Sequence, residues 1–345
     1  MRIILDGMGG DDPGEIVKGA AIASKLVDHE ICIIGDEEKI KKSLSENEHE
    51  PKNIIIEHAS EMITGEDKPV KAIRHKKDSS LVKGLMHLKH DEGDMMISAG
   101  NSGAIMTGAL LLIGRIGRVD RPALGAPYPY VSKHSVGLLI DAGANPEVRS
   151  CCLLHFGIMG SLYAKKVFGY NNPPVGLANM GTEPGKGSVC LKEAYALLEM
   201  AKEQNRLNFV GNVEGRDIPL GIVDVIVCDG MTGNMILKMT EGIGISVLSL
   251  MKEHFMSSMR AKMGAMLLKP ALKEMKEAFN YHQYGGAPIL GVKAPIVKIH
   301  GSSTSEAVVC AIMKSVPYVE EDVIGEIEKA VEGLDEIVGS LAKTE

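Results

Sequence analysis

The chain contains no tryptophan, and only 8 tyrosines and 5 phenylalanines among 345 residues. It has no basic excess either: 38 Lys and Arg stand against 45 Asp and Glu, for a formal net charge of −7. A nucleic-acid binder needs a basic footprint, and a single-strand reader needs aromatic stacking platforms as well, so both roles are excluded. Long hydrophobic runs are missing. The longest, over residues 104–113, is interrupted by Gly108 and falls well short of the roughly 20 residues of a membrane span. The first residues, Met1-Arg2-Ile3-Ile4-Leu5-Asp6, read as a strand with a charged end and lack the apolar core and cleavage site of a signal peptide. Cysteines number 6 and form no Cys-x-x-Cys pair; they are expected to be reduced thiols of a cytosolic protein. A Walker A loop, a Gly-x-Ser-x-Gly elbow and a His-Glu-x-x-His helix are all absent, which removes the nucleotide, serine-nucleophile and zinc-protease readings those motifs carry.

What is present is glycine, 39 of them, and enough hydrophobic residues, 45%, for a substantial core. The length gives a soft prior of about two domains. Short β-branched runs over 2–6, 30–35, 53–58, 95–99, 135–141, 175–179, 207–211 and 224–228 alternate with helical patterns over 15–27, 104–116, 152–167, 189–203, 233–255 and 305–315. This alternation predicts an α/β protein whose mostly parallel sheet is covered by helices on both faces. The tail over 320–345 reads as one acidic amphipathic helix, a docking or dimer element.

Five predicted strands end in loops of one type: Ser98-Ala99-Gly100-Asn101-Ser102-Gly103, Asp141-Ala142-Gly143-Ala144-Asn145, Asn179-Met180-Gly181-Thr182-Glu183, Gly211-Asn212-Val213-Glu214-Gly215 and Asp229-Gly230-Met231-Thr232-Gly233-Asn234. They are expected at one end of the sheet, where open α/β folds bind ligands. Glycine lets backbone approach a ligand, and Asn, Ser and Thr cap the following helices. Amides at helix starts suit an anion, phosphate above all. Lys186, in the glycine-flanked run Thr182-Glu183-Pro184-Gly185-Lys186-Gly187, could reach such an anion. The first loop, Gly7-Met8-Gly9-Gly10-Asp11-Asp12, imitates a dinucleotide fingerprint. Its third glycine, however, is replaced by Asp12, whose carboxylate would face the pyrophosphate, so NAD is discounted. His300-Gly301-Ser302-Ser303 offers an imidazole and hydroxyls at a helix start. Between Leu248 and Leu272, Met251, Phe255, Met259, Met263, Met266, Leu267 and Leu268 recur at helical spacing beside Arg260, Lys262 and Lys269. Gly264 and Pro270 place a bend there. Both a core or dimer surface and an interfacial helix fit this pattern.

In order along the chain, these loops, together with Arg74-His75-Lys76-Lys77-Asp78-Ser79-Ser80, Gly114-Arg115-Ile116, Asp120-Arg121-Pro122-Ala123-Leu124 and Tyr284-Gly285-Gly286-Ala287-Pro288, resemble the bacterial phosphate acyltransferases of phospholipid synthesis. The resemblance implies one domain over 1–345. It also implies a three-layer α/β/α fold similar to isocitrate and isopropylmalate dehydrogenases and phosphotransacetylases, and a homodimer with a helical hairpin over 240–283. It implies transfer of a fatty acyl group from acyl carrier protein to inorganic phosphate without metal or cofactor. The acyl phosphate would pass to a membrane glycerol-3-phosphate acyltransferase, and the protein would be cytoplasmic with peripheral membrane contact. Lys186 and Asn234 match the family's functional Lys and Asn. Loops and resemblance together give a candidate site: Lys186 and Asn234 for catalysis; Gly9, Gly10, Asn101, Ser102, Gly103, Thr182, Glu183, Thr232, Gly233, His300, Ser302 and Ser303 for phosphate and substrate; Met259, Met263, Met266, Leu267 and Leu268 for membrane or partner. Lys71, Arg74, Lys76 and Lys77, or Arg260, Lys262 and Lys269, are the basic patches for an acidic carrier protein. Asp12 and Ser188 depart from the family's pattern. The alternative is a metal- and NAD-dependent hydroxy-acid dehydrogenase on the related fold, with Asp224 and Asp229 as metal ligands.

Overall fold

The computed structural model describes residues 1–46, 51–130, 135–278 and 284–341. Its first half contains β1 (Arg2–Asp6), α1 (Pro13–Ala23), β2 (Glu30–Gly35), α2 (Glu37–Ser45), β3 (Ile54–His58), α3 (Pro69–His75), α4 (Ser80–Lys89), β4 (Met95–Ser98) and α5 (Ser102–Gly108), which runs on as a π turn over Ala109–Ile113. Next come β5 (Ala123–Pro129), β6 (Val136–Ile140), α6 (Ser150–Lys166), β7 (Pro174–Ala178), α7 (Val189–Glu203), β8 (Asn208–Val213) and β9 (Val225–Val227). The chain continues through α8 (Gly230–Met256), α9 (Met259–Ala278), β10 (Ala287–Leu290), β11 (Ile296–Lys298), α10 (Ser305–Glu320), α11 (Val323–Val331) and α12 (Leu334–Leu341).

All eleven strands join one sheet, in the order β3-β2-β1-β4-β11-β10-β5-β6-β9-β7-β8. Pairing is parallel within β3-β2-β1-β4-β11 and within β6-β9-β7-β8. It is antiparallel at β11-β10, β10-β5 and β5-β6. The expected α/β architecture with a mostly parallel sheet is therefore present, but the polarity reverses across its middle. Along β1 the alternation of a strand separates the two faces. Ile3 and Leu5 pack in the cluster that holds residues of α1, α6, α7 and α10, while Ile4 packs in the one that holds α4 and α5. Over β6 and β9 that second face carries a further cluster of Leu139 and Ile226, against which Ile236 and Leu237 of α8 pack. Between α5 and α8 the helical layer is open, and the sheet is exposed to a cleft.

Three expectations need correction. Four of the glycine loops follow β6, β9, β7 and β8 at one end, but Ser98–Gly103 follows β4, a strand of opposite polarity. The hairpin turns at Ser257-Ser258 rather than at Gly264 or Pro270, which both lie inside α9. The two serines explain the position: Ser257 Oγ donates to His254 O at 2.7 Å, closing α8, and Ser258 Oγ accepts from Ala261 N at 3.1 Å, opening α9. Positions 279–283 of the hairpin lie outside the described residues. The tail forms two helices, α11 and α12, broken at Gly333 with φ 79°. Val323, Ile327, Leu334 and Ile337 are buried, so this tail is part of the chain's own core; positions 342–345 lie outside the described residues.

Candidate functional site

A cavity of about 330 Å³ occupies the cleft. Ser102 of α5 lines it from one half, and Gly143, after β6, with Asn234, Lys238 and Glu241 of α8, from the other. Its floor is Leu124 and Ala126 of β5, Ala287 of β10 and the end of β11, where Lys298, His300 and Ser303 enter it. Ser102 and Lys298 also line two adjoining cavities, one with Ile105, Met106 and Ala144 and one with Gly10, Asp11 and Asn101. Lys298 therefore stands at the junction of a continuous groove.

The polar groups have distinct environments. Burial, reinforced by the Lys238 ammonium, pulls the Lys298 pKa below its ordinary value. Its Nζ donates to Ile299 O at 3.0 Å. Burial and the Lys298 and Lys238 charges hold the His300 imidazole below its usual value as well, so it is neutral at pH 7. His300 Nδ1 accepts from Ser302 N at 3.2 Å, which assigns the ring proton to Nε2. Ser303 lines this cavity although it is only 4% exposed, and its Oγ is buried with no hydrogen-bond partner among the described residues. A buried hydroxyl left unpaired costs about 1–3 kcal/mol.

A buried carboxylate shapes each rim. Asp141 Oδ1 accepts from Leu124 N, Gly143 N and Ala144 N at 3.1, 3.1 and 2.9 Å, and Oδ2 from Asn145 N and Nδ2 at 2.7 and 2.9 Å. Those amides hold the loop shut on Asp141 and are not left over for an anion. In the other half, Asp6 accepts from Ser80 Oγ and Ser98 Oγ, each at 2.6 Å.

Of the residues expected at the site, the structure gathers Ser102, Asn234, His300 and Ser303 around this cavity. Gly103 lines the neighbouring cavity, and Gly10 and Asn101 the third. Asn101 also caps α5, accepting from Ala104 N at 3.1 Å. Gly9 packs against Asp6 and Gly100, and Ser302 bonds His300. Thr232 N is bound by the Asp229 cap at 2.7 Å, and Gly233 packs on the Asp141 carbonyl. Lys186, Thr182 and Glu183 lie on the loop after β7, one strand over from β9. Lys186 is half-exposed there, its Nζ 3.8 Å from Glu183, and does not line the cavity. Asp12 and Ser188, which depart from the family's pattern, are helix caps: Asp12 accepts from Gly14 N at 2.9 Å and Ser188 from Leu191 N at 3.3 Å. Asp224 and Asp229 flank the three-residue β9 at opposite ends, about 16 Å apart along an extended chain, so they cannot share one metal ion.

Lys298 and Lys238 were not singled out from the sequence. Lys298 ends the three-residue strand β11 after Ile296 and Val297, and Lys238 directly follows Ile236 and Leu237 on α8. Their helical or strand spacing is unremarkable, and only tertiary placement brings them together.

The chain matches the family model described as "Fatty acid synthesis protein" over residues 1–326. It is 47% identical over 335 residues to the phosphate acyltransferase of Alkaliphilus oremlandii, covering 97% of this chain and 98% of that one. The chain belongs to the phosphate acyltransferase family. A second phosphate acyltransferase, from Acetivibrio thermocellus, is 47% identical over 331 residues, with 95% and 96% covered. Among solved structures, a phosphotransacetylase from Streptococcus pyogenes superposes with a TM-score of 0.63 at 14% identity, covering 93% of this chain and 94% of that one; this likeness shows the fold. Membership of the phosphate acyltransferases makes the protein an acyltransferase enzyme of fatty acid and phospholipid synthesis. Among the described residues, no helix is long and apolar enough to cross a membrane.

Proposed function

We propose that the protein transfers a fatty acyl group from the thioester of an acyl carrier protein to inorganic phosphate, releasing acyl phosphate and the carrier thiol. The observation that carries this is one cavity lined by Lys298, His300 and Asn234, a lysine and two hydrogen-bonding side chains around a single space. Phosphate accepts from the Lys298 ammonium, from the His300 Nε2–H and, once its side chain turns into the cavity, from the Ser303 O–H. One of its oxygens attacks the thioester carbonyl carbon, forming a C–O bond. The Asn234 amide donates to the oxyanion that develops, and such a donor is worth about a hundred- to a thousand-fold in rate. Collapse breaks the C–S bond and expels the pantetheine thiolate, whose thiol pKa near that of free cysteine, about 8.5, makes it a fair leaving group without a strong acid. Lys186, held only by an exposed Glu183, serves as a second cation from the neighbouring loop. The acyl phosphate is consumed by a membrane glycerol-3-phosphate acyltransferase.

The hairpin supports a homodimer that also touches membrane. Of the 27 residues of α8, only Gly230, Gly233 and Gly244 are buried. Met235, Met239, Ile243 and Val247 form an exposed stripe at four-residue spacing, and Met259, Met263, Met266, Leu267 and Leu268 continue it on α9. An uncovered apolar surface of that length marks an interaction site.

The test is release of carrier thiol from a long-chain acyl carrier protein, with the acyl phosphate trapped by hydroxylamine. Release should require inorganic phosphate. Thiol release that ignores phosphate, or none at all, overturns the reading.

A further inference from the structure

Two motifs, Gly114-Arg115-Ile116 and Asp120-Arg121-Pro122, have no role in the chemistry above. Both line a second cavity, of about 620 Å³, together with Leu110, Glu147, Val148, Arg149 and Cys152. Three chain segments lead to it from the Lys298 cavity in the same order. Along α5 and its π turn, Ser102 lines the Lys298 cavity, Met106 the intermediate one and Leu110 the second cavity. After β6, Gly143, Ala144 and Glu147 make the same progression. Before β5, Leu124 belongs to the first two and Arg121, three residues earlier, to the last. The three segments thus line the cavities in one order, with Ser102 and Leu110 about 12 Å apart along the helix.

Its wall carries three guanidiniums, Arg115, Arg121 and Arg149, and two carboxylates, Asp120 and Glu147, so one positive charge is left over. One oxygen of Asp120 is engaged: Arg149 Nη2 and the thiols of Cys151 and Cys152, at 3.6 and 3.3 Å, all bond its Oδ2. Burial pushes the Cys152 thiol up to about 12, so it adds no charge. Asp120, Cys151 and Cys152 are close enough to share a metal, but the Arg149 cation already sits against this carboxylate. Arg115 gives one N–H to Asp120 O and keeps the rest of its fork. Arg121 is exposed and has no protein partner among the described residues. A planar fork with free donors matches a phosphate group, and a single surplus charge matches a phosphodiester.

We propose that the Arg115–Arg121 cavity binds the phosphodiester of the carrier's phosphopantetheine arm, while the arm lies along the cleft and delivers the thioester to the Lys298 cavity. This deepens the acyl-transfer reading and rests on it.

The test compares three acyl donors: acyl carrier protein, acyl-phosphopantetheine and acyl-pantetheine, which lacks the phosphate. In Arg121→Gln, and in the double variant with Arg115→Gln, the KM for the first two donors should rise about tenfold or more. The KM for acyl-pantetheine and for inorganic phosphate, and kcat, should stay as in the parent. An equal rise for acyl-pantetheine, or no rise for any donor, overturns the proposal. A rise in the KM for phosphate also overturns it, because the cavity would then hold the mineral acceptor. If the parent protein makes acyl phosphate from no donor, it is the acyl-transfer reading that fails. Calorimetric binding of free phosphopantetheine, lost in Arg121→Gln, then still decides whether the cavity takes the arm.

Discussion

Gly233 meets the carbonyl of Asp141 so closely that a β-carbon would collide with it. This contact seats the start of α8 on the end of β6 and so fixes Asn234, the next residue, beside Gly143, where a β-carbon would lie 3.5 Å from Asn234 Cβ.

Gly233→Ala forces these two elements apart. Overpacking of this kind costs about 1–3 kcal/mol, and Asn234 is displaced with it. Urea unfolding should show the loss, and phosphate-dependent thiol release should fall by about a hundredfold or more. Unchanged stability and turnover would show that the seat tolerates a side chain.

Ser303→Ala should separate stability from function. The hydroxyl is buried and unpaired, so removing it leaves thermal stability unchanged or raises it. The KM for phosphate should rise about tenfold, the cost of one hydrogen bond to an anion. A clear drop in melting temperature with an unchanged KM would contradict a ligand-facing role.

Lys298 predicts a pH dependence. Its folded pKa is lowered by burial and by Lys238, so the cation is lost as pH rises through a value below the ordinary lysine range. The KM for phosphate should climb at a lower pH than a solvated lysine would allow. In Lys298→Arg, whose side chain stays charged, the climb should vanish. A rise that persists in this variant belongs to another group.

Lys186→Ala should abolish acyl phosphate formation while leaving the unfolding midpoint unchanged, since the side chain is half-exposed and its one pairing is a loose 3.8 Å contact. Near-normal turnover in this variant would remove Lys186 from the chemistry.

Leu267→Glu combined with Leu268→Glu should release the protein from anionic vesicles, because 84% and 50% of these side chains are exposed and carboxylates are repelled there. Catalysis on a soluble donor should persist. Vesicle co-sedimentation equal to the parent's would leave the hairpin to the dimer alone.

Much of the fold is legible locally. The β-branched runs at β1 and β2 give those strands to the residue, and α7 matches its expected range 189–203. β5 escapes because Gly125, Pro127 and Pro129 break the strand pattern, and β10 because it is four residues long with Pro288 inside. Those two are the strands that reverse the sheet, so the polarity of the glycine loops could not be read without them. Asn234, His300 and Ser303 were legible because they flank turns. Lys298 was not, because a lysine at a strand end looks solvated until the other half of the chain closes over it.

From Asn234 in the cavity to Met256 at the hairpin turn, α8 is unbroken and spans about 33 Å. A stiff rod of that length works as a lever. On the proposed reading, whatever grips its greasy far end, a sister subunit or a bilayer, would also set the tilt of the near end, so the Asn234 amide would be aimed in part by contacts made well away from the cavity.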